Sequence, residues 1–155
     1  MRITMFVSLL TLVPAFAVAA SGMKPFQKEA KTKFDEEIAD PLQAANTACG
    51  VKLALKIDFE NLKAADWEGN SISSRCAAML NAVAKVCAKP AYKDELTKAV
   101  KEVACLFNGK KPGDGSMSAM ANMSVKGKAF TYKMHKDDPN LEDAAQAVIE
   151  KALNE

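Results

Sequence analysis

Histidine and tryptophan are the scarcest residues of this chain, because each occurs once among 155 residues, as His135 and Trp67. The sequence also lacks a G-x-S-x-G motif, a P-loop and a C-x-x-C pair. These absences remove the usual signs of a nucleophile elbow, a phosphate-binding loop and a redox-active dithiol. With one histidine, a Ser-His-Asp site could use only His135 as its base.

An excess of charge of one sign is also missing. Lysine and arginine total 21 and aspartate and glutamate total 19, which leaves a formal net charge of +2. Charges of both signs are interspersed along the chain, so their sum creates no field that would attract nucleic acid or an anionic membrane. We therefore expect neither as a partner.

Residues 1–20 have the pattern of a secretory signal peptide. One basic residue precedes an uncharged apolar stretch from Met5 to Ala20, which ends in small residues of the A-x-A type. The stretch is interrupted by Pro14 and is shorter than the roughly 20 residues that a membrane-spanning helix needs. We expect cleavage after Ala20 and a single exported domain, residues 21–155, without a membrane anchor, in the periplasm or the medium.

Four cysteines remain in the expected mature chain, and their spacing lacks the close pairs typical of zinc sites. An oxidising compartment lets an even set pair fully, so two disulfides are expected. Cys76 and Cys87 share one face of a predicted helix but lie about 16 Å apart along it, beyond disulfide reach. Folding that helix back over the preceding strand pairs Cys87 with Cys49. We expect the next helix to run back again and bring the following strand, with Cys105, to the end where Cys76 lies.

The hydrophobic period changes along the chain. Apolar residues three or four apart predict helices over 24–48, over 71–88, from Pro90, and from Asp138-Pro139 onwards. Alternating apolar residues predict strands over 51–59, over 104–108, and on both sides of a turn at Lys126-Gly127. Pro41 is expected to break or kink the first helix, because proline lacks the backbone donor.

The resulting order, α-β-α-α-β-β-β-α, predicts a single small α+β domain. Helices packed on one face of a four-stranded, mostly antiparallel sheet are the simplest arrangement that buries the apolar faces. No internal repeat or low-complexity tract suggests another architecture.

A methionine-rich segment is the most unusual local pattern. Met117, Met120 and Met123 are three residues apart, and Met134 and His135 follow the predicted turn. Thioether and imidazole groups select copper(I), so these five residues form a candidate metal site. The alternative is that the methionines are flexible core residues, and in a strand Met120 would face away from the other two. No other cofactor is predicted.

Trp67 lies in a polar connection and is a candidate partner contact, because aromatic residues often occupy interface centres. The alternative is that its ring folds down as a lid on the core. Without a catalytic motif, the sequence favours an exported, non-catalytic binding or interaction protein whose partner is an unknown protein or small ligand. A copper(I)-handling protein and a small secreted hydrolase that uses His135 are the alternatives.

Overall fold

The computed structural model describes residues 22–155, so the predicted signal peptide lies outside the described residues. The regular elements, in chain order, are α1 (Pro25–Cys49), β1 (Ala54–Ile57), α2 (Ala64–Trp67), α3 (Ile72–Cys87), α4 (Pro90–Ala99), β2 (Glu102–Leu106), β3 (Met123–Lys126), β4 (Ala129–Lys133) and α5 (Leu141–Leu153). Short 3₁₀ turns cover Phe59–Asn61 and Ser118–Asn122. No helix within residues 22–155 is both long and apolar enough to cross a membrane.

The four strands form one sheet in the order β1-β2-β4-β3. The four-stranded sheet and the hairpin at Lys126-Gly127 are confirmed, but the mostly antiparallel arrangement is wrong: β1, β2 and β4 run parallel, and only β3 is antiparallel to its neighbour. At about 15 Å, α4 is too short to carry the chain back along the roughly 24 Å of α3. β2 therefore starts beside the start of β1, where the carbonyl of Lys101 accepts a hydrogen bond from the N–H of Ala54 at 2.9 Å.

The helices cover one face of the sheet, as predicted. α3 and α5 contact the strands, α1 packs against α3, and α4 packs against both α3 and α5. Strand register shows which residues face the helices, because residues paired across strands share a face. The two core rows are Leu55-Val103-Phe130-Val125 and Ile57-Cys105-Tyr132-Met123. The residues between them, such as Lys56, Ala104 and Thr131, form the opposite face, which we call the outer face.

Both predicted disulfides are confirmed. Cys49–Cys87 joins the C-terminal ends of α1 and α3, with its Cα atoms 5.0 Å apart. Cys76–Cys105 joins the start of α3 to β2, with its Cα atoms 6.1 Å apart. All four side chains are buried. Two disulfides are typical of extracellular proteins, so this feature fits an extracellular location.

α1 continues through Pro41, so of the two predicted outcomes, a break or a kink, the break is wrong. A proline inside a helix costs about 3 kcal/mol, because it removes one hydrogen bond and clashes with the preceding turn. Residues on both sides of it, Phe34, Ile38, Ala45 and Cys49, are buried in the core, and their packing offsets this cost. Gly50 ends the helix in the left-handed conformation, with φ 71°, which glycine adopts without strain.

Candidate functional site

The carboxyl ends of β1, β2 and β4 meet at one edge of the sheet, because the three strands are parallel. Three connections start there: residues 58–71 with α2, residues 107–117, and residues 134–140. In open sheets of parallel strands, ligands bind in the crevice outside the carboxyl ends. This edge is therefore where a ligand site is expected.

A cleft of about 260 Å³ opens between these connections. We call it the carboxyl-edge cleft, and its lining residues are Asp66, Trp67, Phe107, Gly109, Met134, His135 and Lys136. The Trp67 and Phe107 rings form an aromatic wall, with centroids 5.5 Å apart and an edge-to-face geometry. Asp66 and Lys136 supply opposite charges. The cleft thus combines an apolar wall with polar groups, as small-molecule sites do.

Trp67 is largely packed, with 9% of its surface exposed. The guanidinium carbon of Arg75 lies 5.9 Å from the centre of the indole ring, within cation–π distance. This burial agrees with the interpretation of Trp67 as a lid on the core. The part that remains accessible lines the cleft and a second groove beside Phe26 and Ile72, so Trp67 is placed to contact a small ligand.

His135 has a defined hydrogen-bond pattern. Its Nδ1 accepts a hydrogen bond from the backbone N–H of Asp137 at 3.2 Å, so the neutral ring carries its proton on Nε2. A Ser-His-Asp site has the opposite arrangement, in which Nδ1–H donates to a carboxylate. The nearest carboxylate oxygen, Oδ2 of Asp137, is 3.8 Å from Nδ1. His135 is therefore arranged as a hydrogen-bond donor through Nε2–H.

A buried carboxylate holds the cleft loops together. Asp138 is 6% exposed, and its side chain accepts hydrogen bonds from the Tyr132 hydroxyl at 2.8 Å, the Asn122 amide at 3.0 Å and the His135 N–H at 3.1 Å. The Asn122 side chain also bonds to both the N–H and the carbonyl of Lys110, at 3.0 and 2.7 Å. One network therefore ties the loop after β2 to the loop after β4.

Arg75, on α3, fixes the His135 loop from the other side. Its guanidinium donates to the carbonyl oxygens of His135 at 3.0 Å and Asp138 at 3.4 Å, and also to that of Lys136. Gly109 adds a close backbone contact, because its N–H donates to the Met134 carbonyl at 3.1 Å. The walls of the cleft are thus held by hydrogen bonds within the protein.

The start of the last helix differs from the sequence prediction. α5 begins at Leu141 rather than at Asp138-Pro139, and Asn140, with φ 44°, occupies the N-cap position. The Asp138 carboxylate does not cap the helix because it accepts the buried hydrogen bonds from Tyr132 and Asn122 instead. Asp138-Pro139 therefore precedes the helix, and the Asp138 carboxylate stabilises the loop before it.

The buried Tyr132 hydroxyl makes stability depend on high pH. Burial, and then the negative charge of Asp138, raise the pKa of Tyr132 above its ordinary value. Above about pH 10 the unfolded chain loses this proton while the folded chain retains it, so the free energy of unfolding falls by up to about 1.4 kcal/mol per pH unit. Urea unfolding from pH 9 to 11 should show a shallower decline in Tyr132→Phe. Equal slopes in the two proteins would contradict this assignment.

The structure places the candidate copper ligands in different surroundings. Met117 is 36% exposed and precedes the second 3₁₀ turn, and Met120 is half-buried within it. Met123 and Met134 are buried in the core, and His135 lies in the carboxyl-edge cleft. Within residues 22–155 no group of three or more His, Cys, Asp or Glu side chains is placed to hold a metal ion.

Comparison with protein-family models, curated proteins and solved structures finds no match to this chain.

Proposed function

We propose that this protein is an exported, non-catalytic binding protein that holds a small molecule in the carboxyl-edge cleft. The observation that carries the proposal is the convergence of Trp67, Phe107 and His135, from three separate connections, around one cleft. Asp66 and Lys136 at the same cleft provide charges of both signs. The two disulfides and the predicted signal peptide support export.

The cleft favours a small ligand with one planar or apolar part and a polar part. Its volume of about 260 Å³ lies just below the range of roughly 300 to 1,000 Å³ for drug-sized sites. Trp67 and Phe107 can pack against the planar part, and His135 Nε2–H can donate to an acceptor. Because the loops are already held by Asp138 and Arg75, little ordering is needed on binding, which favours affinity.

A binding role accounts for His135 better than the hydrolase alternative. The general base of a Ser-His-Asp site must have a serine hydroxyl on one ring nitrogen and a carboxylate on the other. Within the described part of the chain, neither group lies within hydrogen-bond distance of the His135 ring, and its Nδ1 is occupied by the Asp137 N–H. This arrangement suits a fixed donor that recognises a ligand.

Trp67 supplies a direct assay, because it is the only tryptophan in the chain and lines the cleft. We would titrate the disulfide-bonded protein with a panel of aromatic carboxylates, aromatic amines and free amino acids while exciting tryptophan selectively. At least one compound should change the fluorescence saturably. His135→Ala should weaken its binding by about tenfold, the effect of one lost hydrogen bond.

Lys111→Ala is the matched control. Lys111 is an exposed residue of the loop after β2 but does not line the cleft. Its replacement should leave the affinity unchanged. A panel without a saturable response, or an equal loss of affinity in both variants, would contradict the proposed function.

A further inference from the structure

Six exposed lysines share the outer face of the sheet and its adjoining amino-terminal edge. Lys56, Lys126 and Lys133 belong to outer-face rows by strand register. Lys101 and Lys128 directly precede β2 and β4, and their backbones are joined by a 2.8 Å hydrogen bond. Lys52 lies two residues before β1 at the same edge. We call these six residues the sheet lysines.

The sheet lysines differ from the lysines of the helical side in their partners. Ion pairs within 4.0 Å involve lysines on helices or at a helix start, namely Lys31, Lys33, Lys85, Lys89, Lys98 and Lys151. Among residues 22–155, no carboxylate lies within 4.0 Å of a sheet lysine. The outer-face strand rows contain one acidic residue, Glu102, which is half-buried. Most helix lysines are therefore paired with a carboxylate, with Lys28 and Lys93 as exceptions, whereas among the described residues none of the sheet lysines is.

The centre of the outer face is built from small residues. Ala104, Thr131 and Ser124 form its middle row, and Ala54 and Ala129 belong to the row beside it. No helix packs across these strands on this side, and no aromatic residue belongs to its rows. The face is thus broad and shallow, with lysines towards its margins and nothing at its centre that could stack on a base or a sugar ring.

We propose that the outer face is a peripheral docking surface for an anionic phospholipid bilayer. Charge complementarity selects an anionic partner, because the sheet lysines carry no competing carboxylate. Shape selects the bilayer, because a broad face whose middle row consists of small residues and one marginal lysine can bring Lys56, Lys126 and Lys133 to a plane at once. The attachment is reversible and electrostatic, which distinguishes it from a membrane anchor, and it does not depend on a ligand in the carboxyl-edge cleft.

The test compares two variants with the same net charge. The outer-face variant carries Lys56→Gln, Lys126→Gln and Lys133→Gln, and the helix-face variant carries Lys31→Gln, Lys33→Gln and Lys151→Gln. All six positions are exposed or contribute only surface ion pairs, so both variants should fold, which circular dichroism and thermal melting would verify. Binding of the disulfide-bonded protein is measured by co-sedimentation with vesicles of phosphatidylglycerol and phosphatidylethanolamine.

We expect the unmodified protein to sediment with these vesicles and to be released by high salt, which screens exposed charges. Each neutralised lysine should weaken binding roughly fivefold, so the outer-face variant should bind on the order of 100-fold more weakly. The helix-face variant should bind like the unmodified protein. An equal loss in both variants would overturn the proposal, because binding would then follow net charge alone.

Three other results would also overturn it. These are no sedimentation with the anionic vesicles, equal sedimentation with pure phosphatidylcholine vesicles, and tighter binding to a soluble polyanion such as dextran sulfate than to the vesicles. The last result would assign the surface to an anionic polymer instead of a bilayer.

Discussion

Replacing Cys76 and Cys105 together by alanine should lower the free energy of unfolding by about 4 kcal/mol. The disulfide closes a 29-residue separation, and the loss of that cross-link enlarges the conformational freedom of the unfolded chain by roughly this amount in the chain-entropy model. Both sulfurs are fully buried, so the substitution also removes core packing. Urea unfolding of the two oxidised proteins measures the difference directly.

The other disulfide is a control that separates the general loss of a cross-link from an effect on the carboxyl-edge cleft. The double replacement of Cys49 and Cys87 opens a 38-residue separation and should cost a similar amount. Cys76 lies beside Arg75, and Cys105 lies near the carboxyl end of β2, so only the first variant should also disturb the carboxyl-edge cleft. A loss below about 1 kcal/mol in the first variant would show that the loop is constrained by other contacts.

Asp138→Ala should destabilise the fold by about 3 to 5 kcal/mol, because it leaves several buried donors without an acceptor. The hydroxyl of Tyr132, the amide of Asn122 and the N–H of His135 all donate to this one carboxylate. A typical domain has a total stability of about 5 to 15 kcal/mol, so the variant would be close to unfolding. Chemical denaturation at neutral pH is the appropriate measurement.

Asp137 offers a neighbouring control. Its side chain is exposed, and its hydrogen bond to His135 uses the backbone N–H, which alanine retains. Asp137→Ala should change the free energy of unfolding by less than about 0.5 kcal/mol, as expected for a surface substitution. Equal effects of Asp137→Ala and Asp138→Ala would contradict the proposed role of the buried network.

Local geometry explains why the disulfides were predictable and the strand directions were not. The pairing of Cys49 with Cys87 followed from the length of the helix, which keeps Cys76 and Cys87 apart, and from folding that helix back over the strand after Cys49. The direction of β2 depends on how far α4 carries the chain before it turns, and a ten-residue helix does not return it to the far end. The spacing of hydrophobic residues predicts helices and strands, but it does not predict the direction in which the chain connects them.

The candidate site was only partly predictable for a similar reason. His135 and Trp67 stand out in the sequence because each is unique. Arg75 and Asn122 do not, since their partners are distant in the chain: Arg75 bonds to carbonyls about 60 residues away, and Asn122 bonds to Asp138, 16 residues away. No local sequence motif predicts hydrogen bonds between residues that are so far apart in the chain.

Charge patterning along the sequence does not reveal how charge is distributed on the folded surface. A net charge of +2 suggests no field, but a sum over the sequence does not show which lysines have carboxylate partners. In the folded chain, Lys31 and Lys89 are paired, whereas Lys56 and Lys133 on the outer face have no carboxylate within 4.0 Å among the described residues. The proposed docking surface rests on the uneven distribution of carboxylate partners among the lysines, and not on the total charge.

The central claim is that the carboxyl-edge cleft binds a small molecule. NMR can test it by mapping where a compound that changes Trp67 fluorescence binds. In ¹H–¹⁵N correlation spectra, the Trp67 indole N–H and the amides of Phe107, Gly109 and His135 should shift saturably with one dissociation constant, because they line one cleft. Shifts centred instead on Ile72, in a separate groove between α1 and α3, would contradict the claim.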